Sequence, residues 1–305
     1  AGFVNDMPID VKCPVLQRMT DMIAHRGPDS EGHYIDEHAA LGHRRLSIID
    51  LGGGQQPIYN EDGSKVITFN GEIYNYQTLR EELIAAGHTF TTKSDTEVLL
   101  HGYEQWGVDL LQRVRGMFTF VIWDKNKQEL FGARDHFGIK PFYYAKMNGT
   151  FMYASEIKSL LRHPDFVKEL NAEALKPYMT FQYPAIGETF FKGVYKLPEG
   201  HYFTYRDGKM DIHRYYDEDF REGKQKLGEL VNSIDQTVCD SVKAHQIADV
   251  EVGSFLSSGV DSSYVAAVAR PQHTYSIGFG KGTYNESQQA GELAELLKLN
   301  NTAES

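Results

Sequence analysis

Val252-Gly253-Ser254-Phe255-Leu256-Ser257-Ser258-Gly259-Val260-Asp261-Ser262 reads as an apolar strand that breaks into a small polar loop and then enters a helix. Residues 252–256 have the short apolar run of a buried strand, and the small residues from Ser262 to Ala269 are compatible with a helix. Such a turn leaves backbone N–H groups free at the positive end of the helix dipole, where an anion is stabilised. Gly259 lets the backbone approach that anion, and Ser257, Ser258 and Ser262 add hydroxyl donors. The loop has no lysine of the kind that glycine-rich loops ending in Lys-Ser or Lys-Thr use on transferring phosphates. It therefore suits a pyrophosphate that leaves intact. A plain serine-rich turn at a strand–helix junction is the alternative that these residues alone leave open.

Outward from this loop, Leu227 to His245 is an amphipathic helix, and the strand His273 to Phe279 and the helix Asn285 to Leu297 follow. That βαβα order predicts an α/β domain with a parallel sheet over 227–305. Two strands cannot bury both faces of a sheet, so the domain is expected to be incomplete, with the rest lying beyond Ser305. Asp217 to Lys226 is charged, contains glycine and has no apolar period, which reads as a linker. Before it, residues 1–216 are dominated by short β runs: Ala39 to Leu46, Val66 to Asn70, Phe118 to Trp123, Leu130 to Arg134, Phe142 to Ala145, Phe151 to Ser155 and His201 to Tyr205. Helical periodicity appears at Val15 to Ala24, Tyr76 to Ala86, Asp95 to Trp106 and Ile157 to Leu161. Helices that lie beside strands without alternating with them predict a layered α+β domain.

Composition narrows the function classes. The 305 residues allow about two domains at ~150 residues each. A formal charge of −11 argues against a sequence-wide footprint for nucleic acid or anionic membrane, and neither partner is expected. Cys13 and Cys239 are far apart and lack metal-ligand spacing, so neither a disulfide framework nor a zinc site is read from them, and no metal ligands are assigned. No apolar run reaches the ~20 residues of a membrane helix, and a cytoplasmic enzyme is the default expectation.

Four blocks of the first domain carry chemistry in a fixed order: Ala1-Gly2-Phe3-Val4, His25-Arg26-Gly27-Pro28-Asp29, Arg44-Arg45-Leu46-Ser47-Ile48-Ile49-Asp50 and Asn70-Gly71-Glu72-Ile73-Tyr74-Asn75, with Ser94-Asp95-Thr96-Glu97 behind them. A free amino acid with an amide side chain presents a carboxylate, an ammonium and that amide. Its pocket wants a cation, an anion and donors for an oxyanion. Arg45 at a strand end offers a planar fork for a carboxylate, and Asn70 with Gly71, following the strand Val66 to Phe69, can supply an amide and a backbone N–H to an oxyanion. Each also has a structural reading: Asn70-Gly71 as a hairpin turn, Arg45 as an exposed charge, and Asp95 or Ser94 as a helix N-cap.

Taken together, the blocks resemble the class II glutamine amidotransferases, N-terminal-nucleophile hydrolases with a four-layer αββα sandwich and a cysteine as the first residue. The 257–262 loop resembles the pyrophosphate loop of ATP pyrophosphatases. The pairing resembles the glutamine-hydrolysing asparagine synthetases along essentially the whole chain. The resemblance implies that Arg45, Leu46, Ser47, Ile48 and Ile49 hold the glutamine carboxylate side, that Asn70 and Gly71 form the oxyanion hole, and that Glu72 and Asp95 take the ammonium. It implies that Leu256, Ser257, Ser258, Gly259, Asp261, Ser262 and Ile277 contact ATP, with Mg²⁺ near Asp261. For Leu256 and Ile277 the other reading is of two core aliphatics. His25 to Asp29 reads as a block that positions the site, Arg134 to Pro141 as a family-like structural turn, and neither His25 nor His136 is a candidate base.

The reaction implied is asparagine synthesis from aspartate and ATP through an acyl-adenylate, using ammonia released from glutamine and passed along an internal route. Homodimers occur in the family. The chain departs from the pattern at Ala1, which stands where the family has its nucleophilic cysteine; a methyl group cannot attack an amide, so glutamine hydrolysis is expected to be lost. A deliberate cysteine-to-alanine substitution, a natural ammonia-fed form and missing first residues stay open as explanations. So do other carboxylate acceptors, such as cell-wall diaminopimelate, and a non-catalytic glutamine-binding module. A peptidase is disfavoured, because Arg45 and Asp95 suit a free amino acid.

Overall fold

The computed structural model describes residues 1–183, 187–278 and 286–304. The chain divides into two compact units, Ala1–Asp219 and Phe220–Ser305. In the first, the strands are β1 (Gly2–Val4), β2 (Ser30–Ile35), β3 (Ala39–Arg45), β4 (Ile58–Tyr59), β5 (Lys65–Ile73), β6 (Gly116–Asp124), β7 (Glu129–Arg134), β8 (Tyr143–Met147), β9 (Thr150–Ala154), β10 (Val194–Lys196), β11 (His201–Arg206) and β12 (Lys209–Arg214). The helices are α1 (Ile9–Asp21), α2 (Tyr76–Ala85), α3 (Asp95–Trp106), α4 (Ile157–Leu160) and α5 (Ala172–Phe181).

Two six-stranded sheets result, in the orders β10-β8-β9-β1-β3-β2 and β12-β11-β7-β6-β5-β4. Side-chain alternation then decides the layers. In β1, Phe3 faces outward beside Ala40 and Met152, its register partners on β3 and β9, and packs under Val15, Leu16 and Met19 of α1. Leu41, Phe151 and Tyr153 turn the other way and meet Val66, Val121, Trp123, Leu130 and Phe203 of the second sheet. On that sheet's outer side α3 packs over β5, and α2 packs on α3. The first unit is therefore an αββα sandwich.

Several elements differ from the sequence expectation. β5 runs on through Asn70 and Gly71, which pair with Thr119 and Phe118 of β6, so they are strand and not a turn. Helix α1 starts at Ile9, well before Val15, with Pro14 inside it; the missing proline N–H removes only one hydrogen bond, which flanking packing outweighs. The strands β1, β2, β4, β10 and β12 and the helix α5 have no clear apolar period in the sequence.

The second unit is α6 (Leu227–Ala244), β13 (Ser254–Phe255), α7 (Val260–Ala269), β14 (His273–Ile277), α8 (Ser287–Leu297) and β15 (Asn300–Glu304), with the three strands parallel in that order. β15 is a third strand that polar Asn300-Asn301-Thr302 conceals. Asn301 Oδ1 accepts from Thr274 Oγ1 at 2.9 Å and from Ser276 Oγ at 3.1 Å, so the strand is stitched by side chains as well as by its ladder. Leu256, Ala266, Ala290 and Ala294 form the core. The expected strand end at Phe279, helix start at Asn285 and domain end at Ser305 lie outside the described residues. No helix among the described residues is long and apolar enough to cross a membrane.

Gly71 is the tightest point of the β5–β6 pairing, since a Cβ there would sit 2.0 Å from the Met117 carbonyl oxygen. That oxygen is backbone of the paired strand and cannot swing aside. Gly71→Ala is expected to destabilise the fold by at least ~2 kcal/mol, read as a lower denaturant midpoint; an unchanged midpoint would contradict this packing.

Candidate active site

The central strands of both sheets end around one cavity of about 320 Å³. Ala1 lines it, with Gly42 to Arg45 of β3, Thr68 to Glu72 of β5 and Asp95 of α3. Sheet pairing fixes Ala1 there: its α-amino group donates to Gly42 O at 3.0 Å, and Gly42 N donates back to Ala1 O at 2.7 Å. Loss of water around that amine pushes its pKa down to about 5, so at neutral pH its lone pair is unprotonated. The side chain beside it is only a methyl group.

Arg45 is nearly buried, at 6% exposure, and is not the exposed charge considered from sequence. Its Nη2 donates to Ile49 O at 2.8 Å and Asp50 O at 2.7 Å, gathering residues 46–50 around the guanidinium. Leu46, Ile48 and Ile49 line the cavity, but Ser47 does not. The Ser47 amide instead donates to Asp29 Oδ2 at 2.8 Å, so the 25–29 block braces this loop from outside.

Asn70 Nδ2 is a buried donor with no hydrogen-bond partner, and Asn70 and Gly71 both face the cavity lining. An unmade bond at a buried amide is costly unless a ligand supplies the acceptor. Asp95 is the first residue of α3, and the cap is Ser94, whose Oγ accepts from Thr96 N at 3.2 Å. Asp95 is thereby free of capping; its Oδ2 accepts from Ile73 N at 3.0 Å and its Oδ1 from Ser94 Oγ at 3.3 Å. Burial pushes its pKa up to about 6, with the charge of nearby Glu72 acting in the same direction. A cationic group placed there would relieve both effects. Glu72 lines the same cavity.

His43, Gln56 and Tyr153, which no sequence motif marks, also line the cavity, as does Lys140 of the 134–141 block. Gln56 links the sheet to α3, accepting from Phe69 N at 2.6 Å and donating to Thr96 Oγ1 at 3.2 Å. His43 donates Nε2–H to Phe69 O at 2.9 Å, and burial pushes its pKa down to about 3, so it is neutral. Lys140 is delivered by the 134–141 turn. There Arg134 Nε donates to Lys140 O at 2.8 Å, and Asp135 Oδ2 accepts from Lys140 N at 3.0 Å. Gly138 in that turn has φ +64°, and a Cβ there would meet Arg134 Nη2 at 2.7 Å. Burial lowers the Lys140 pKa, against the pull of Glu72.

In the second unit, Ser257 to Ser262 forms a compact loop between β13 and α7. Ser257 Oγ and Ser262 Oγ lie 2.7 Å apart, and Gly259 N donates to Ser257 Oγ at 3.2 Å. Helix α7 begins at Val260, two residues before its expected start, with Gly259 as its N-cap. Asp261 is exposed in the first turn, where the opening N–H groups have no intrahelical acceptor. A Cβ on Gly259 would sit 3.3 Å from Ser257 Oγ, a close contact that only a small shift of that hydroxyl would relieve. Leu256 is core, with its side chain among Ala266, Ala290 and Ala294, whereas Ile277 is 58% exposed at the end of β14 and is not a core aliphatic.

Comparison with known proteins bears on both units. A glutamine amidotransferase domain model matches residues 2–216, and an asparagine synthase model matches residues 233–304. Glutamine-hydrolysing asparagine synthetase 1 of Bacillus subtilis (strain 168) is 45% identical over 292 residues, 94% of this chain and 46% of its own length. Asparagine synthetase 3 of the same organism is 37% identical over 279 residues, 87% of this chain and 45% of its own. The chain thus spans about half the length of the curated relatives it matches. Among solved structures, glutamine phosphoribosylpyrophosphate amidotransferase from B. subtilis aligns with a TM-score of 0.51 at 15% identity, over 99% of this chain and 65% of its own, a likeness of fold alone. Since the amidotransferase model covers the sandwich from Gly2 to Tyr216, the chain belongs to the glutamine amidotransferase domain family.

Proposed function

We propose that this chain binds glutamine in the sandwich cavity and belongs to an enzyme that makes asparagine from aspartate, with ATP and glutamine-derived ammonia. The observation that carries the reading is the buried Asn70 amide without an acceptor, set in one cavity with Arg45, Asp95 and the first residue of the chain. Arg45 takes the substrate carboxylate through Nη1 and Nε, the donors that remain once Nη2 is held by the Ile49 and Asp50 carbonyls. Asp95 and Glu72 take the ammonium, and the side-chain amide then lies toward Asn70, Gly71 and position 1.

With a cysteine at position 1, the neutral amine would accept the thiol proton, the thiolate would attack the amide carbon, and Asn70 Nδ2 with the Gly71 N–H would hold the oxyanion. Ala1 removes the attack and leaves the pocket. In the second unit, the serine hydroxyls and the first N–H groups of α7 fit a pyrophosphate, and Asp261 is a suitable carboxylate for its Mg²⁺. ATP converts the aspartate side-chain carboxylate, a poor electrophile, into an acyl-adenylate from which ammonia displaces AMP. The match of residues 233–304 to the asparagine synthase model supports this part.

Ammonia release from glutamine by the Ala1→Cys chain, made with an unblocked N-terminus, tests the first unit. Release by the cysteine form and none by the chain as given is the expected outcome. A folded cysteine form that binds glutamine without hydrolysing it would contradict the proposal.

Asp95 adds a test by pH. Its folded pKa of about 6 lies above the 3.8 of an ordinary aspartate carboxyl, so folding favours the protonated form. That contribution is full below the unfolded pKa and is lost as pH rises through about 6. Asp95→Asn is therefore expected to be more stable than the parent at pH 8, by at most ~3 kcal/mol, with the difference gone near pH 4. Denaturation at the two pH values reads this directly, and equal stability at pH 8 would refute it.

A further inference from the structure

A second cluster of ligating side chains lies on the same unit. Glu61 in the β4–β5 turn, His88 between α2 and α3, and His101 and Glu104 on α3 each bring one ligating atom within 4.8 Å of the others. None of the four lines the glutamine cavity. His101 Nδ1 is 3.1 Å from Glu104 Oε2 and 3.4 Å from Glu61 Oε2, while His88 Nδ1 is 3.4 Å from Glu61 Oε1. Four nitrogen and oxygen ligands at about 2.0–2.1 Å around a tetrahedral ion are about 3.3 Å apart. The three closest pairs, which use both oxygens of Glu61, are near that spacing, and the remaining pairs, within 4.8 Å, would close by small side-chain rotations on binding.

The surroundings orient the ligands. His88 Nε2 lies 3.2 Å from Gln105 Oε1, a carbonyl oxygen that can only accept, so the ring proton sits on Nε2 and the Nδ1 lone pair is left for the cluster. His101 is fully buried, and its Nε2 faces Glu97 Oε1 at 3.6 Å. Glu97 is fixed in turn by Thr91 N and Thr92 N, each at 2.7 Å. Glu104 Oε1 accepts from Asn60 Nδ2 at 2.7 Å, and Glu61 Oε1 accepts from Thr89 N at 3.1 Å. Histidines backed by a carboxylate or carbonyl on the far nitrogen are the usual outer shell of a bound metal. The rival occupant is a proton, held on His101 between Glu97, Glu104 and Glu61.

We propose that Glu61, His88, His101 and Glu104 form a four-ligand site for a divalent first-row transition ion of the zinc class, which ties the β4–β5 turn and the α2–α3 segment to α3. Four protein ligands leave no open position, so the ion's role is structural. Imidazole and carboxylate without thiolate suit Zn²⁺ and Co²⁺ alike.

The test is calorimetric titration of the chelator-treated chain with ZnCl₂ at pH 7.5, with Co²⁺ absorption as a second reading. Expected are one equivalent of zinc, the intense visible bands of four-coordinate cobalt and a raised melting temperature. His88→Ala and Glu61→Gln alter residues that are at least partly exposed and should fold normally; each should weaken zinc binding by about 100-fold or more. Absence of binding up to millimolar zinc, or binding that both variants leave unchanged, would overturn the proposal and assign the cluster to a proton.

Discussion

Strand β1 is three residues long, yet it is hydrogen-bonded on both sides, by β3 and by β9. That double pairing is the constraint on which the rest of the first unit depends. It puts Phe3 into the outer core under α1 and leaves Ala1 at the cavity edge, exchanging hydrogen bonds with Gly42. Gly2 must stay small, because a Cβ would sit 2.5 Å from Tyr153 Oη and 2.6 Å from Ala40 O. A sheet interior is rigid, so a residue at its edge is positioned without relying on a loop.

The cavity is built at some cost to the fold. Asp95 and the Ala1 amine have both lost water, which shifts their pKa values toward the neutral form in each case. Asn70 holds an amide donor with nothing to accept it. These are three unfavourable local terms in one place, and one zwitterionic ligand with a side-chain amide would answer the carboxylate and the amide donor together. By contrast, each carboxylate around His101 lies within ion-pair distance of its ring. The two clusters share α3 but differ in character: one is lined by an unpartnered amide around an open cavity, the other is a dense set of carboxylates and imidazoles within ion-pair distance of one another.

What the sequence made legible follows from where periodicity survives. Central strands such as β6 and β7, buried on both faces, and helices with an apolar stripe such as α3 read correctly. The four strands at the sheet edges, β2, β10, β4 and β12, were all missed. β4 and β10, at two and three residues, are too short to show a period, and β2 and β12, at six residues each, carry mostly polar side chains. The same reason hides β15, whose Asn301 contributes to the sheet through its side chain. Among site residues, Arg45, Asn70, Gly71 and Asp95 stood out because they fall in ordered blocks, and the structure gathers them around one cavity. Ser47 fell in the same block but faces Asp29, which alternation along the loop could not foretell. The four residues of the His101 cluster come from three separate segments, and no linear spacing announces them.

The central claim is that the pocket recognises a free amino acid by its two charged ends, independently of any nucleophile. Calorimetric titration of the chain as given with L-glutamine tests it most directly, with Arg45→Lys alongside. Lysine keeps the charge but cannot hold the Ile49 and Asp50 carbonyls and still present the separate N–H donors that a guanidinium keeps for the carboxylate. The account predicts a single glutamine site in the parent chain, at least tenfold weaker in Arg45→Lys, since one fork hydrogen bond to a charged group is worth about 1.5–3 kcal/mol. A folded parent chain that does not bind glutamine, or equal affinity in the two proteins, would contradict it.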